Sequence, residues 1–147
     1  MELTTAASVI SYISRIEQES AVFYEQCALI HEPLKEVFLL FMKENKKNEA
    51  NIKRAYYSVV SDALETNFCF KGLIGNVTMP SLGNDASLMM VLEVSMVLEN
   101  SIQQFYLKAV ELSKSLLADV PRTMERVAKL REARVARLRS ILEEARR

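Results

Sequence analysis

Few residues in this chain can break a helix. Its 147 residues include only three glycines and three prolines. Gly72, Gly75, Pro80 and Gly83 fall together in FKGLIGNVTMPSLGNDAS, while Pro33 and Pro121 stand alone. Four long segments remain between these breakers, at about 4–31, 33–64, 86–116 and 121–146. Each repeats apolar residues at three- and four-residue spacing, the pattern of an amphipathic helix. Thr4 or Thr5 is placed to cap the first helix and Asp85 the third. Pro33 and Pro121 lie where a first-turn proline belongs. The first and second helices are joined by a very short turn, as are the third and fourth, so each pair is expected to pack antiparallel. The middle connection, about 65–85, carries no helix signal and is long enough to run the height of a bundle. The expectation is one all-α domain over 1–147, a four-helix bundle with one long crossover between the second and third helices.

Charge and composition narrow the function classes. Lys and Arg number 19 against 19 Asp and Glu, so the chain lacks the basic field that phosphate backbones require. No nucleic acid partner is expected. No apolar run approaches the ~20 residues of a membrane span. MELTTAASVISYISRIEQES has no basic n-region, so neither a signal peptide nor a membrane partner is expected. A single histidine cannot supply a two-histidine metal site, and Cys27 and Cys69 form neither a knuckle nor a disulfide framework. A reduced, cytoplasmic setting follows as the default. There is no glycine-rich phosphate loop and no placed partner for a catalytic histidine.

The helices also repeat. SRIEQESAVFYEQCAL in the first matches MVLENSIQQFYLKAVE in the third. Glu17 aligns with Glu99, Phe23 with Phe105 and Tyr24 with Tyr106, at a constant offset of 82 residues. The repeating unit is therefore a helical hairpin, and two such hairpins imply a pseudo-two-fold bundle. Turning each residue ~100° about its helix axis places six polar residues in the apolar arcs: Glu17, Asn45, Asn48, Glu99, Arg131 and Arg134. Their distances from the turns put all six in one layer. Glu44, Glu49 and Glu132 turn away from it. His31 sits at the first turn, far from the layer.

On the repeated Glu-x5-Phe-Tyr and the helix periods around 45–56 and 131–142, the chain resembles the rubrerythrin-type branch of the ferritin-like superfamily. That resemblance implies a ferritin-like bundle, a homodimer, and a di-iron site. Such a site uses one glutamate on each of two helices and Glu-x-x-His on each of the other two. The lone glutamates correspond to Glu17 and Glu99. The paired positions hold Asn45 and Asn48, and Arg131 and Arg134. Rubrerythrins proper also carry a rubredoxin-like domain with two CxxC knuckles, and no such knuckle occurs in this sequence.

These replacements do not suit iron. Arginine offers a metal no lone pair and stays protonated. Asparagine is a poor iron ligand. A cation ~4 Å from each metal costs several kcal/mol even at an effective dielectric near 20. Two glutamates and two arginines sum to zero charge. The expected site is thus a salt-bridge and amide network, with bidentate arginines neutralising the glutamates and the asparagines completing their hydrogen bonds. Tyr24 and Tyr106 are expected as core tyrosines whose hydroxyls reach the layer. No catalytic residue, metal or cofactor is expected, and the leading reading is a non-catalytic binding or structural protein. The competing reading is a di-iron or residual metal-binding oxidoreductase of peroxidase or ferroxidase type, using Glu17, Glu99 and off-face carboxylates. A further one is a small-molecule pocket lined by Phe68, Phe70, Leu73 and Ile74 around Cys69, although an apolar loop of this kind is better read as packing over the bundle.

Overall fold

The structure, a computed structural model, describes residues 1–60, 70–114 and 119–147, with no side-chain description at 58–60. It is all-α. The long helices are α1 (Ala6–Ile30), α2 (Lys35–Val60), α3 (Leu88–Leu112) and α4 (Asp119–Ala145). Among the described residues no strand forms, and one isolated bridge pairs Glu2 with Ile74. No described helix is long and apolar enough to cross a membrane. The expected ends of the second and third helices, beyond Val60 and Lys114, lie outside the described residues, as do Ala63, Phe68 and Cys69.

Local chemistry sets the helix ends. Thr5 caps α1 through a reciprocal pair: its Oγ1 accepts from Ser8 N at 3.0 Å, and Ser8 Oγ accepts from Thr5 N at 3.1 Å. At the other end the chain meets Glu32-Pro33. His31 is extended (φ -125°, ψ 91°), so α1 stops at Ile30, and a single 3-10 turn, Glu32–Leu34 with Pro33 in its first turn, leads the chain into α2. The cap of α3 is Ser87, whose Oγ accepts from Met90 N at 3.1 Å, and not Asp85. Asp85 is held two residues too early, in a turn closed by Ala86 N to Gly83 O. Helix α4 begins at Asp119, two residues before Pro121. The missing proline N–H still falls among the first four, which have no intrahelical acceptor.

Side-chain contacts fix how the helices run. Glu49 meets Ser14 while Asn45 meets Ser20, so α1 and α2 are antiparallel. Glu99 meets Arg131 while Glu93 meets Arg146, so α3 and α4 are antiparallel too. Residues 70–87 lie alongside α1 from one end to the other. Phe70 N and Leu3 N bond to Thr4 O and Leu73 O at 2.7 and 2.8 Å. Further up, the Tyr12 hydroxyl accepts from Val77 N, Gln26 donates to Leu82 O, and His31 Nε2 donates to Ala86 O at 2.8 Å. Helix α3 therefore starts beside the C-terminal end of α1 and runs antiparallel to it.

One core joins all four helices. Ile16, Tyr24, Phe38, Phe41, Ile52, Leu92, Ile102, Tyr106, Met124 and Leu138 are buried in it. Phe70 and Leu73 are buried in the same cluster, whereas Ile74 is 44% exposed. The described part of the apolar loop thus packs onto the bundle.

Gly75 shows how close this packing is. A Cβ there would meet the Tyr12 ring at 2.8–3.0 Å. The ring is buried and its hydroxyl is bonded to Val77 N, so it has little room to retreat. Gly75→Ala is expected to destabilise the chain by about 1–3 kcal/mol, the usual cost of overpacking. Urea denaturation checks this; unchanged stability would show the loop rides free of α1.

A buried charge layer as the candidate functional site

All six polar residues singled out from helix phase are buried, and hydrogen bonds bring five of them together, all but Asn48. The α1 glutamate and tyrosine stand seven residues apart, two helical turns, and so do those of α3. Because α1 and α3 run antiparallel, each tyrosine faces the other helix's glutamate. Tyr24 donates to Glu99 Oε1 at 2.7 Å, and Tyr106 donates to Glu17 Oε1 at 2.6 Å.

Arg131 of α4 joins the two carboxylates. Its Nη2 donates to Glu17 Oε2 at 2.6 Å, and its Nη1 reaches both Glu99 oxygens at 2.8 and 2.9 Å. One guanidinium therefore serves both glutamates, where the sequence suggested a bidentate arginine for each. Arg134, one turn on, donates from Nη1 to Glu99 Oε1 at 2.8 Å and from Nη2 to Phe41 O at 2.9 Å. Its guanidinium lies 4.6 Å from the Phe41 ring centre, where the ring's negative face favours it. Arg134 also reaches Glu44 Oε1 at 3.2 Å, so Glu44 is not turned away from the layer as its helix phase implied. A long arginine at the edge of the arc covers the remaining distance.

The asparagines behave differently from expectation. Asn45 touches neither carboxylate. Its Nδ2 donates to Ser20 Oγ at 2.6 Å and faces the Glu17 carbonyl at 3.4 Å. Ser20 itself was not foreseen. It is buried, its hydroxyl donates to Glu17 O, and its oxygen also lies 3.4 Å from Arg131 Nη2. The signal was present, since a small polar residue three positions after Glu17 shares its helix face. Asn48 is buried beside the layer without bonding to it. Among the described residues, Asn45 Oδ1, Asn48 Nδ2 and Arg131 Nε find no hydrogen-bond partner.

Burial acts on Glu99, Arg131 and the two tyrosines. It would raise the Glu99 carboxyl, but the Arg131 and Arg134 guanidiniums beside it hold it below the ordinary carboxylate value. Burial would likewise disfavour charge on Arg131, and the two glutamates outweigh it, leaving that guanidinium more firmly protonated than usual. Tyr24 and Tyr106 are pushed well above the ordinary phenol value, first by burial and then by the carboxylates they serve. They are fixed donors. Cys27 lies apart from the layer, its thiol pushed up to about 12 chiefly by burial, so it is no nucleophile at neutral pH. Among the described residues no three His, Cys, Asp or Glu side chains gather in a metal-holding arrangement.

Comparison with protein families, with curated proteins and with solved structures found no match to this chain. Its chemistry is therefore read from the geometry alone.

Removing Arg131 would strand the buried Glu17 carboxylate and leave Glu99 with Arg134 alone. Arg131→Met is expected to cost about 3–5 kcal/mol at neutral pH, the usual range for breaking a buried pair. A buried carboxyl left without its cation binds protons more readily folded than unfolded, so the variant should gain stability as pH falls from about 7 to about 5. The native chain has no such gain. Its Glu99 is held low, so that contribution is present above the unfolded value of about 4.3 and is lost as pH drops through the folded value. Urea denaturation of both proteins across this range measures the difference; parallel pH profiles would show that Arg131 does not neutralise the carboxylates.

Proposed function

We propose that this chain is a ferritin-like bundle of the rubrerythrin type in which an ion-paired polar network occupies the di-iron positions. It acts as a non-catalytic binding or structural protein, as a homodimer in a cytoplasmic setting. The single observation that carries the reading is the saturation of Glu17 and Glu99: each accepts a tyrosine hydroxyl, and both are bound by Arg131.

The order of elements supports the fold part. Residues 70–87 climb the length of α1 before α3 begins, as a crossover between two hairpins requires. The reciprocal Tyr–Glu bonds are what a pseudo-two-fold repeat of Glu-x5-Phe-Tyr would produce. The donor set does not fit a pair of iron ions. Two carboxylates are already neutralised, the remaining inward positions are amides and guanidiniums, and a second cation beside Arg131 would be repelled. An oxidoreductase routed through such a centre therefore has no support in these residues.

Anaerobic Fe(II) loading followed by metal analysis tests the reading. The native chain is expected to retain no stoichiometric iron. The combined variant Asn45→Glu, Asn48→His, Arg131→Glu and Arg134→His, once shown to be folded, is expected to bind it. Two irons per native chain would overturn the proposal, and a folded but iron-free variant would overturn the assigned positions.

A further inference from the structure

Two grooves flank the 70–87 segment on the α1–α3 side of the bundle. One, of about 440 Å3, is lined by Val22 and Gln26 of α1 with Met79 and Pro80. The other, of about 460 Å3, is lined by Thr78 and Pro80 with Val94 and Val97 of α3. Each helix raises an apolar ridge beside its groove. On α1 this is Val22 and Leu29, 68% and 79% exposed; on α3 it is Met90 and Val97, 51% and 71% exposed. The members of each pair stand two helical turns apart, so they line up along their helix. Single exposed apolar residues need no explanation, but four on one side, with grooves between them, mark an interaction face.

Charge is kept off this face. Arg15 is paired with Glu19 at 3.6 Å, and Glu93 with Arg146 at 3.0 Å. Between these pairs the grooves offer Gln18, Gln26, Asn76, Thr78 and Ser101, polar but uncharged. Glu25 turns toward α2, into a groove it shares with Lys46. An uncharged apolar centre with a polar rim is the composition of a protein–protein interface. The opposite side of the bundle differs. Lys47, Arg54, Arg126 and Arg137 are exposed on α2 and α4, and the ion pairs of those helices, Lys53–Glu49, Lys129–Glu125 and Arg134–Glu44, leave them out. A second copy brought against that side would meet like charge, and against the α1–α3 side it would meet neutral, apolar surface. The area also suffices. Helices α1 and α3 have 25 residues each, about 37 Å of length at ~1.5 Å per residue, and side by side they are roughly 20 Å wide. Their outer surface is on the order of 700 Å2, close to the ~800 Å2 per partner of a stable interface.

We propose that a second copy of this chain docks on the face formed by α1, the 70–87 segment and α3, in a two-fold dimer that buries Val22, Leu29, Met90 and Val97. Such an interface rests on the homodimer of the reading above and gives it a place. A two-fold axis parallel to the helices lays α1 of each copy on α3 of the other, so both ridges are covered at once. The arginine-bearing side then faces outward on both copies.

Sedimentation equilibrium of the full chain over a wide concentration range tests this. The native chain is expected at twice its 16.7 kDa. Val22→Glu and Val97→Glu each put a carboxylate into the interface from both copies, and each is expected to weaken the dimer roughly a hundredfold. Both positions are exposed, and glutamate is a good helix former, so circular dichroism should show native helix content in both variants. Lys47→Glu, on the opposite side, should leave the dimer unchanged. A native dimer that either valine substitution leaves intact, or that Lys47→Glu dissociates, would overturn the face and not the homodimer. A native chain that stays monomeric throughout would overturn both.

Discussion

Two carboxylates cannot stay ionised in the middle of a helical core without a cation between them. Glu17 and Glu99 are both fully buried, and Arg131 stands between them with one nitrogen of its fork on each. The geometry ties the helices together. Glu17 belongs to α1, Glu99 to α3 and Arg131 to α4, and Arg134 carries the link to α2 through the Phe41 carbonyl and Glu44. A slip of one residue along any helix would turn its member ~100° out of the layer and strand the others. An apolar layer of equal volume could well be as stable, since desolvating such ions is costly. What the charged layer adds is a demand for one register.

The network has a two-fold part and an asymmetric part. The tyrosine–glutamate bonds are reciprocal because the Glu-x5-Phe-Tyr segment occurs on both α1 and α3, and these run antiparallel. The arginines break the symmetry, since both come from α4. On the α2 side stand Asn45 and Asn48, one bonded to Ser20 and the other to nothing in the layer. Both cations thus come from the α3–α4 hairpin, and α2 contributes amides that the layer only partly uses.

The sequence showed much of this through simple periodicities. Scarce glycine and proline marked the helices, and helix phase marked the inward polar residues, because a 3.6-residue period fixes which face a residue occupies. What phase cannot give is reach and local bonding. Arg134 is long enough to touch Glu44 from the edge of its arc, which angle alone assigned to solvent. Ser20 is small enough to pass as a neutral core residue, and only the partners around it show its hydroxyl at the junction of Glu17, Asn45 and Arg131. The cap of α3 was misplaced by two residues because Asp85 and Ser87 are equally good cap types, and the turn at Gly83 decides between them.

The central claim is that the buried Glu99 remains charged because Arg131 and Arg134 hold it so. Following the carboxyl carbon of Glu99 by nuclear magnetic resonance during an acid titration tests this directly. A paired carboxylate should stay ionised below about 4.3, the ordinary value, despite its burial. A Glu99 resonance that titrates above that value would show a protonated acid in the core, and would contradict the ion-paired layer.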